Sequence, residues 1–114
     1  MTIKSRLFQL AGPFGAYQLC KVLSSSIPKI LMYHRFSESP QIGFMHGEAF
    51  EKQIVYLKNN FNLVTLNDLV NIYRQQGSFP ENTIVITVDD GYSDFHEIAF
   101  PILEKYKVPA TFFV

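Results

Sequence analysis

The stretch Thr83-Ile-Val-Ile-Thr-Val-Asp-Asp-Gly-Tyr92 decides how this chain folds. From Thr83 to Val88 every residue is β-branched, with apolar side chains on both faces of an extended run. Such a run suits a central parallel strand covered on two sides. Phe79-Pro-Glu-Asn82 makes the turn that feeds it. Asp89, Asp90 and Gly91 then fall at its carboxyl end, where parallel α/β folds gather their ligand-binding loops. Neighbouring side chains on a strand point to opposite faces. Two adjacent aspartates therefore serve one site only where the strand is ending, and Gly91 supplies the freedom to turn there.

Two carboxylates held close repel one another, and a shared proton or a cation relieves the cost. A divalent metal on one carboxylate would lower the pKa of its water to about 7, and the other carboxylate could take the proton. The alternative from these residues alone is an ordinary polar turn, since Asp-Gly is a common turn pair.

Upstream, Ile30-Leu-Met-Tyr33 is short and apolar enough for a buried strand, and Ser37 to Gly47 reads as a loop. Glu48 to Asn60 carries Phe50, Ile54, Leu57 and Phe61 at helical spacing. Phe61 to Val64 is a short apolar link. Thr65 can cap a second helix, with Asp68 three residues on, burying Leu66, Leu69, Val70 and Tyr73 and ending before Gly77. Downstream, Ser93 or Asp94 can cap a helix that buries Phe95, Ile98, Ile102, Leu103 and Tyr106, with Pro101 kinking it or marking its true first turn. Ala110 to Val114 is a further buried strand that takes Phe112 and Phe113 into the core. The order strand, helices, strand, helix, strand is an α/β arrangement with parallel strands and right-handed crossovers. Because the last apolar run reaches Val114 without a turn, a truncated domain of marginal stability is expected.

The chain has 114 residues, 47% hydrophobic and 18% charged, with formal net charge zero. That fits one globular domain and gives no reason to expect a nucleic-acid partner. Residues 1–28 read as an N-terminal helical appendage, and residues 29–114 as the domain proper. Up to Ser37 all charged side chains are basic (Lys4, Arg6, Lys21, Lys29, Arg35), which gives membrane contact as a minor alternative to a solvated helix face. Leu7 to Cys20 shows no clear cleavage site and is too interrupted to span a bilayer, so a cytoplasmic or membrane-peripheral location is expected. Cys20 is the sole cysteine, which excludes an internal disulfide and a zinc–thiolate cluster.

Three linked segments, Ile84-Val-Ile-Thr-Val-Asp-Asp-Gly-Tyr92, Ala99-Phe-Pro-Ile-Leu-Glu-Lys-Tyr106 and Val108-Pro-Ala-Thr-Phe-Phe-Val114, resemble the opening of the polysaccharide deacetylase (NodB-homology) domain of carbohydrate esterase family four. Ile30-Leu-Met-Tyr-His-Arg-Phe36 and Pro80 match its usual lead-in, so the resemblance covers roughly residues 29–114. It implies the first portion of a distorted (β/α) barrel, and removal of N-acetyl, less often O-acetyl, groups from a polysaccharide or oligosaccharide substrate. It implies Asp89 as general base and Asp90 as ligand of a divalent metal, usually Zn2+. The family's other ligands come from a downstream His-(Ser/Thr)-x-x-His motif, which these 114 residues do not contain. Nor do they contain the later elements with the histidine taken as general acid.

His34, at the end of the first strand, falls on the Asp89 side. It is either an active-site rim residue or a strand-end histidine bonded to backbone. Tyr92 either shapes a substrate groove or packs under the following helix. His46 and His96 lack partners at ligand spacing and read as solvated or structural. Asp94 reads as a helix cap. The 11 phenylalanines are spread along core-facing positions and form no sugar-stacking platform. Two further readings compete with the hydrolase: a catalytically inactive fragment with a structural or partner-binding role, and a phosphate-transfer enzyme with an aspartate nucleophile. Such phosphate sites space their acids as Asp-x-Asp, so the adjacent pair argues against the last.

Overall fold

The computed structural model describes residues 19–20 and 23–114. The N-terminal helical appendage expected over residues 1–28 lies for the most part outside the described residues, as does the proposed membrane contact.

Among the described residues, six strands are distributed over two sheets. They are β1 (Lys29–Tyr33), β2 (Phe36–Ser37), β3 (Met45–His46), β4 (Asn62–Val64), β5 (Thr83–Val88) and β6 (Thr111–Phe112). Helix α1 (Gly47–Asn60) precedes β4, and α2 (Leu66–Gln76) precedes β5. A π-helical turn (Phe95–Ala99) runs directly into α3 (Phe100–Lys105). The main sheet is wholly parallel and centred on β5, with β1 on one side and β4 and β6 on the other. All six residues of β5 are buried, as its unbroken β-branched run requires.

The helix boundaries follow the local chemistry. On α1, Phe50, Ile54 and Leu57 form the buried stripe. On α2, Thr65 accepts a hydrogen bond from the Asp68 N–H, and Gly77 closes the helix in the left-handed conformation at φ 71°. The π-turn has its own cause. Pro101 has no N–H to give to the carbonyl four residues back, and the preceding turn widens so that the Phe100 N–H reaches the Phe95 carbonyl instead.

Five expectations are corrected. Asn62–Val64, read as a link, is a strand that pairs with Thr83–Val85. The loop from Ser37 to Gly47 contains a two-residue parallel ladder, Phe36–Ser37 with Met45–His46. Strand β1 is covered on one face only, and Ile30 and Met32 stand exposed. On α2 only Leu69 is buried: Val70 and Tyr73 face outward, and Tyr73 stacks on Phe79 at 4.7 Å. Phe112 and Phe113 are exposed rather than core, because β6 has no strand on its other side among the described residues. The core is instead Phe36, Phe50, Ile54, Leu57, Ile84, Ile86, Val88, Ala99, Leu103 and Val108, packed between the sheet and helices α1 and α3.

Candidate active site

Strands β1 and β5 run in register from Lys29↔Ile84 to Tyr33↔Val88, so the residues that follow each emerge side by side. The last backbone hydrogen bond between them runs from the Asp89 N–H to the Tyr33 carbonyl at 2.9 Å. Beyond it the β5 chain turns sharply. Asp90 and Gly91 both take positive φ, 74° and 63°. A left-handed aspartate costs about 1–2 kcal/mol that an extended or helical one does not. Its effect is to swing the Asp90 carboxylate back toward the side that Asp89 faces.

The two carboxylates meet at one imidazole. His34 Nε2 lies 3.7 Å from Asp89 Oδ2 and 3.8 Å from Asp90 Oδ2. These are ion-pair separations, too long for hydrogen bonds. The three side chains are graded in exposure, with Asp89 at 25%, His34 at 45% and Asp90 at 60%. A partly covered carboxylate, an open carboxylate and an imidazole nitrogen thus share one strand mouth. That arrangement can accept, hold and return a proton at a single point.

Beside it lies a second charged group that the sequence reading missed. Asp94 does not cap the following helix; its backbone is already helical and its side chain makes no cap bond. Instead, Arg35 Nε donates to Asp94 Oδ2 at 2.7 Å. The guanidinium lies over the Tyr92 ring at 3.9 Å and over Phe44 at 4.7 Å. The hydrogen bond to Asp94 is the main cause of the rise in Arg35's pKa above the usual guanidinium value. Tyr92 therefore does not pack under the helix; it is half exposed and supports Arg35. Fifty-nine residues separate Arg35 from Asp94, and no local signal in one sequence joins them.

The other histidines have structural roles. His46 Nε2 sits 3.0 Å from the Glu38 carbonyl, and His96 stacks on Phe100. An open groove of about 490 Å³ is lined mainly by Phe95, Phe100, Leu103, Val108, Ala110 and Phe112, but includes none of the strand-mouth residues.

Among the described residues no group of three His, Cys, Asp or Glu side chains is arranged to hold a metal ion. The exposed carboxylate of Asp90 is chemically suited to be one oxygen ligand of a divalent cation, and the donor set goes no further. No helix among the described residues is long and apolar enough to cross a membrane.

Known proteins share part of this sequence and this fold. Residues 76–114 match the polysaccharide deacetylase family profile. Over 82 residues the chain is 41% identical to the poly-beta-1,6-N-acetyl-D-glucosamine N-deacetylase of Staphylococcus aureus, a match covering 69% of this chain and 28% of that protein. The solved structure of IcaB from Ammonifex degensii superimposes with a TM-score of 0.68 at 28% identity, covering 76% of this chain and 37% of that one. A de-N-acetylase from Aggregatibacter actinomycetemcomitans gives 0.65 at 26% identity, covering 75% and 36%. The chain thus spans little more than a quarter of the curated relatives it matches. With the parallel sheet, the Asp-Asp-Gly strand mouth and these likenesses together, the chain belongs to the polysaccharide deacetylase family and carries part of a NodB-type domain.

Proposed function

We propose that these residues contribute to the active site of a hydrolase that removes acetyl groups from the amino sugars of an N-acetylated glucosamine polysaccharide. The observation that carries this reading is the convergence of Asp89, Asp90 and the His34 imidazole at the carboxyl end of β5. The S. aureus relative, named for N-deacetylation of a β-1,6-linked polymer, supports the amide over the ester.

In this mechanism Asp89 is the general base. Its carboxylate accepts a proton as water adds to the acetyl carbonyl, and the C–N bond then breaks. The proton passes to the departing amine nitrogen, leaving acetate and a free amino sugar. His34, within 4 Å of both carboxylates, contacts the substrate from the rim and holds a proton between the two steps. Asp90 would supply one carboxylate ligand to a divalent metal, zinc by preference. When bound, such an ion polarises a carbonyl and stabilises negative charge on its oxygen.

The test is acetate release, with matching appearance of primary amines, from an N-acetylated β-1,6-glucosamine oligomer by the natural gene product. Turnover that disappears in Asp89→Asn supports the reading. Release of acetate from O-acetylated glycan alone would overturn the amide assignment.

A further inference from the structure

Backbone pairing between β1 and β5 stops at Asp89 N–H to Tyr33 carbonyl, one residue short of His34 and before Asp90. Past His34 the Arg35 carbonyl accepts from the Met45 N–H at 2.8 Å, which fixes the β1 exit but does not tie it to the Asp89–Asp90 turn. What holds the imidazole against the two carboxylates must therefore lie beyond the ladder. Arg35 follows His34 directly, and Asp94 lies four residues past Asp90, at the helical start that follows the turn. Their 2.7 Å bond closes a bridge between the two strand exits on the far side of the site.

The chemistry of the bridge exceeds what packing needs. The Asp94 side chain is 13% exposed, and its Oδ1 is buried with no hydrogen-bond partner. A nearly buried carboxylate is thus held through one oxygen by one donor. For stability alone an apolar pair of the same volume does as well or better. What the ion pair adds is direction. The guanidinium is planar, fixed at Nε and flanked by the rings of Tyr92 and Phe44, so its orientation is set from three sides.

We propose that Arg35, through its bond to Asp94, is a positioning residue that sets the distance between His34 and the Asp89–Asp90 pair. The kinetic part of this inference rests on the deacetylase reading above; the geometric part does not.

The experiment uses the natural gene product with Arg35→Ala, Arg35→Lys and Asp94→Asn. On the N-acetylated oligomer, Arg35→Ala lowers kcat by about 10- to 100-fold, the scale of a misplacement near 1 Å. KM stays within about twofold, because the interaction lost is one made to the catalytic groups rather than to bound substrate. Methylguanidinium added at millimolar concentration fills the slot between Tyr92, Phe44 and Asp94 and restores part of kcat. Arg35→Lys, which keeps the charge but not the flat Nε-anchored fork, restores little. Unchanged kcat in Arg35→Ala, or a loss that follows the unfolded fraction and ignores methylguanidinium, overturns the proposal.

A second readout is independent of activity. The His34 imidazole resonances, assigned by their loss in His34→Gln, move when Asp89→Asn is introduced into the otherwise native chain. In the Arg35→Ala background that movement falls to less than about half, because the two groups no longer hold their separation. An equal movement in both backgrounds overturns the proposal, even if the native protein proves to have no deacetylase activity. Should Arg35→Ala fail to fold, the same comparison in Arg35→Lys decides the matter by the same criterion.

Discussion

Asp89 and Asp90, neighbours that an extended strand would point to opposite faces, each present one carboxylate oxygen to the same nitrogen of His34, at 3.7 and 3.8 Å. The backbone achieves this by carrying Asp90 and then Gly91 through positive φ. Two substitutions separate charge from conformation. Asn tolerates the left-handed region well, so Asp90→Asn keeps the turn and the fold while removing one ligand charge. Gly91→Ala keeps both charges but puts a side chain where φ is 63° and where a Cβ would meet the Val114 Cα at 3.4 Å. It should destabilise the protein by about 1–2 kcal/mol. Urea unfolding distinguishes them: a native midpoint for Asp90→Asn and a lowered one for Gly91→Ala. Equal midpoints would show that the turn is not under conformational strain.

Asp89→Asn tests the division of roles between the two acids. The amide cannot accept a proton from water, so turnover falls by at least about 100-fold, the lower range for removal of a general base. Zinc uptake continues, because the proposed metal ligand is Asp90. In Asp90→Asn both turnover and metal content decline. Metal analysis of the two purified variants beside acetate release gives the answer, and the reverse pattern would exchange the assignments.

Much of this was legible in the chain itself, and what was not follows a physical rule. The buried β5 strand, the α1 stripe, the Thr65 cap and the Gly77 stop are encoded within a few residues, so periodicity and capping chemistry reveal them. The pairing of Asp89 with His34 was half visible, since both stand at strand exits and parallel strands end together. Strand β4 was missed because three residues are too few for a period to show, and only its pairing to Thr83–Val85 makes it a strand. The Arg35–Asp94 bridge was missed for a stronger reason. Asp94 sits where a helix cap belongs, and local preference was overruled by a cation that arrives from Arg35, in the link between β1 and β2.

Away from the site, Glu51 ties α1 to α3 and gives stability a dependence on pH. Lys105 Nζ donates to its Oε1 at 2.8 Å, and the Tyr106 hydroxyl donates to the same oxygen at 2.7 Å. The Lys105 bond, then the Tyr106 bond, hold the Glu51 carboxyl below its ordinary value. A carboxylate depressed in the folded state contributes stability that is present above its unfolded pKa and is lost as pH falls through the folded one. Stability therefore declines on the acid side of the ordinary glutamate range, and Glu51→Gln flattens that limb while changing little near neutrality. Because both charges are partly exposed, added salt should weaken the effect. Thermal melts of both proteins across the acid range test this; parallel pH profiles would exclude Glu51 as a source.

The deepest support for the site is Phe50. It is fully buried and packs edge-on against Tyr33 at 5.1 Å and Phe36 at 5.0 Å, the residues that bracket His34 and Arg35. Tyr33 is fixed in turn at its other end, where its hydroxyl donates to Gln53 Oε1 at 2.7 Å. Phe50→Ala removes a whole ring from a close-packed region and should cost about 3–5 kcal/mol, a large share of a small domain's stability. Phe50→Leu retains much of the volume and loses mainly the two ring–ring contacts, about 0.5–1.5 kcal/mol each. The Leu variant is therefore the informative one: it stays folded, yet it loosens the backbone that presents His34 and Arg35. Its deacetylase rate should drop by more than its unfolded fraction accounts for, with the loss in kcat rather than KM. A Phe50→Leu protein with native kcat would mean that β1 holds His34 in place without help from α1, and that the ladder to β5 is sufficient.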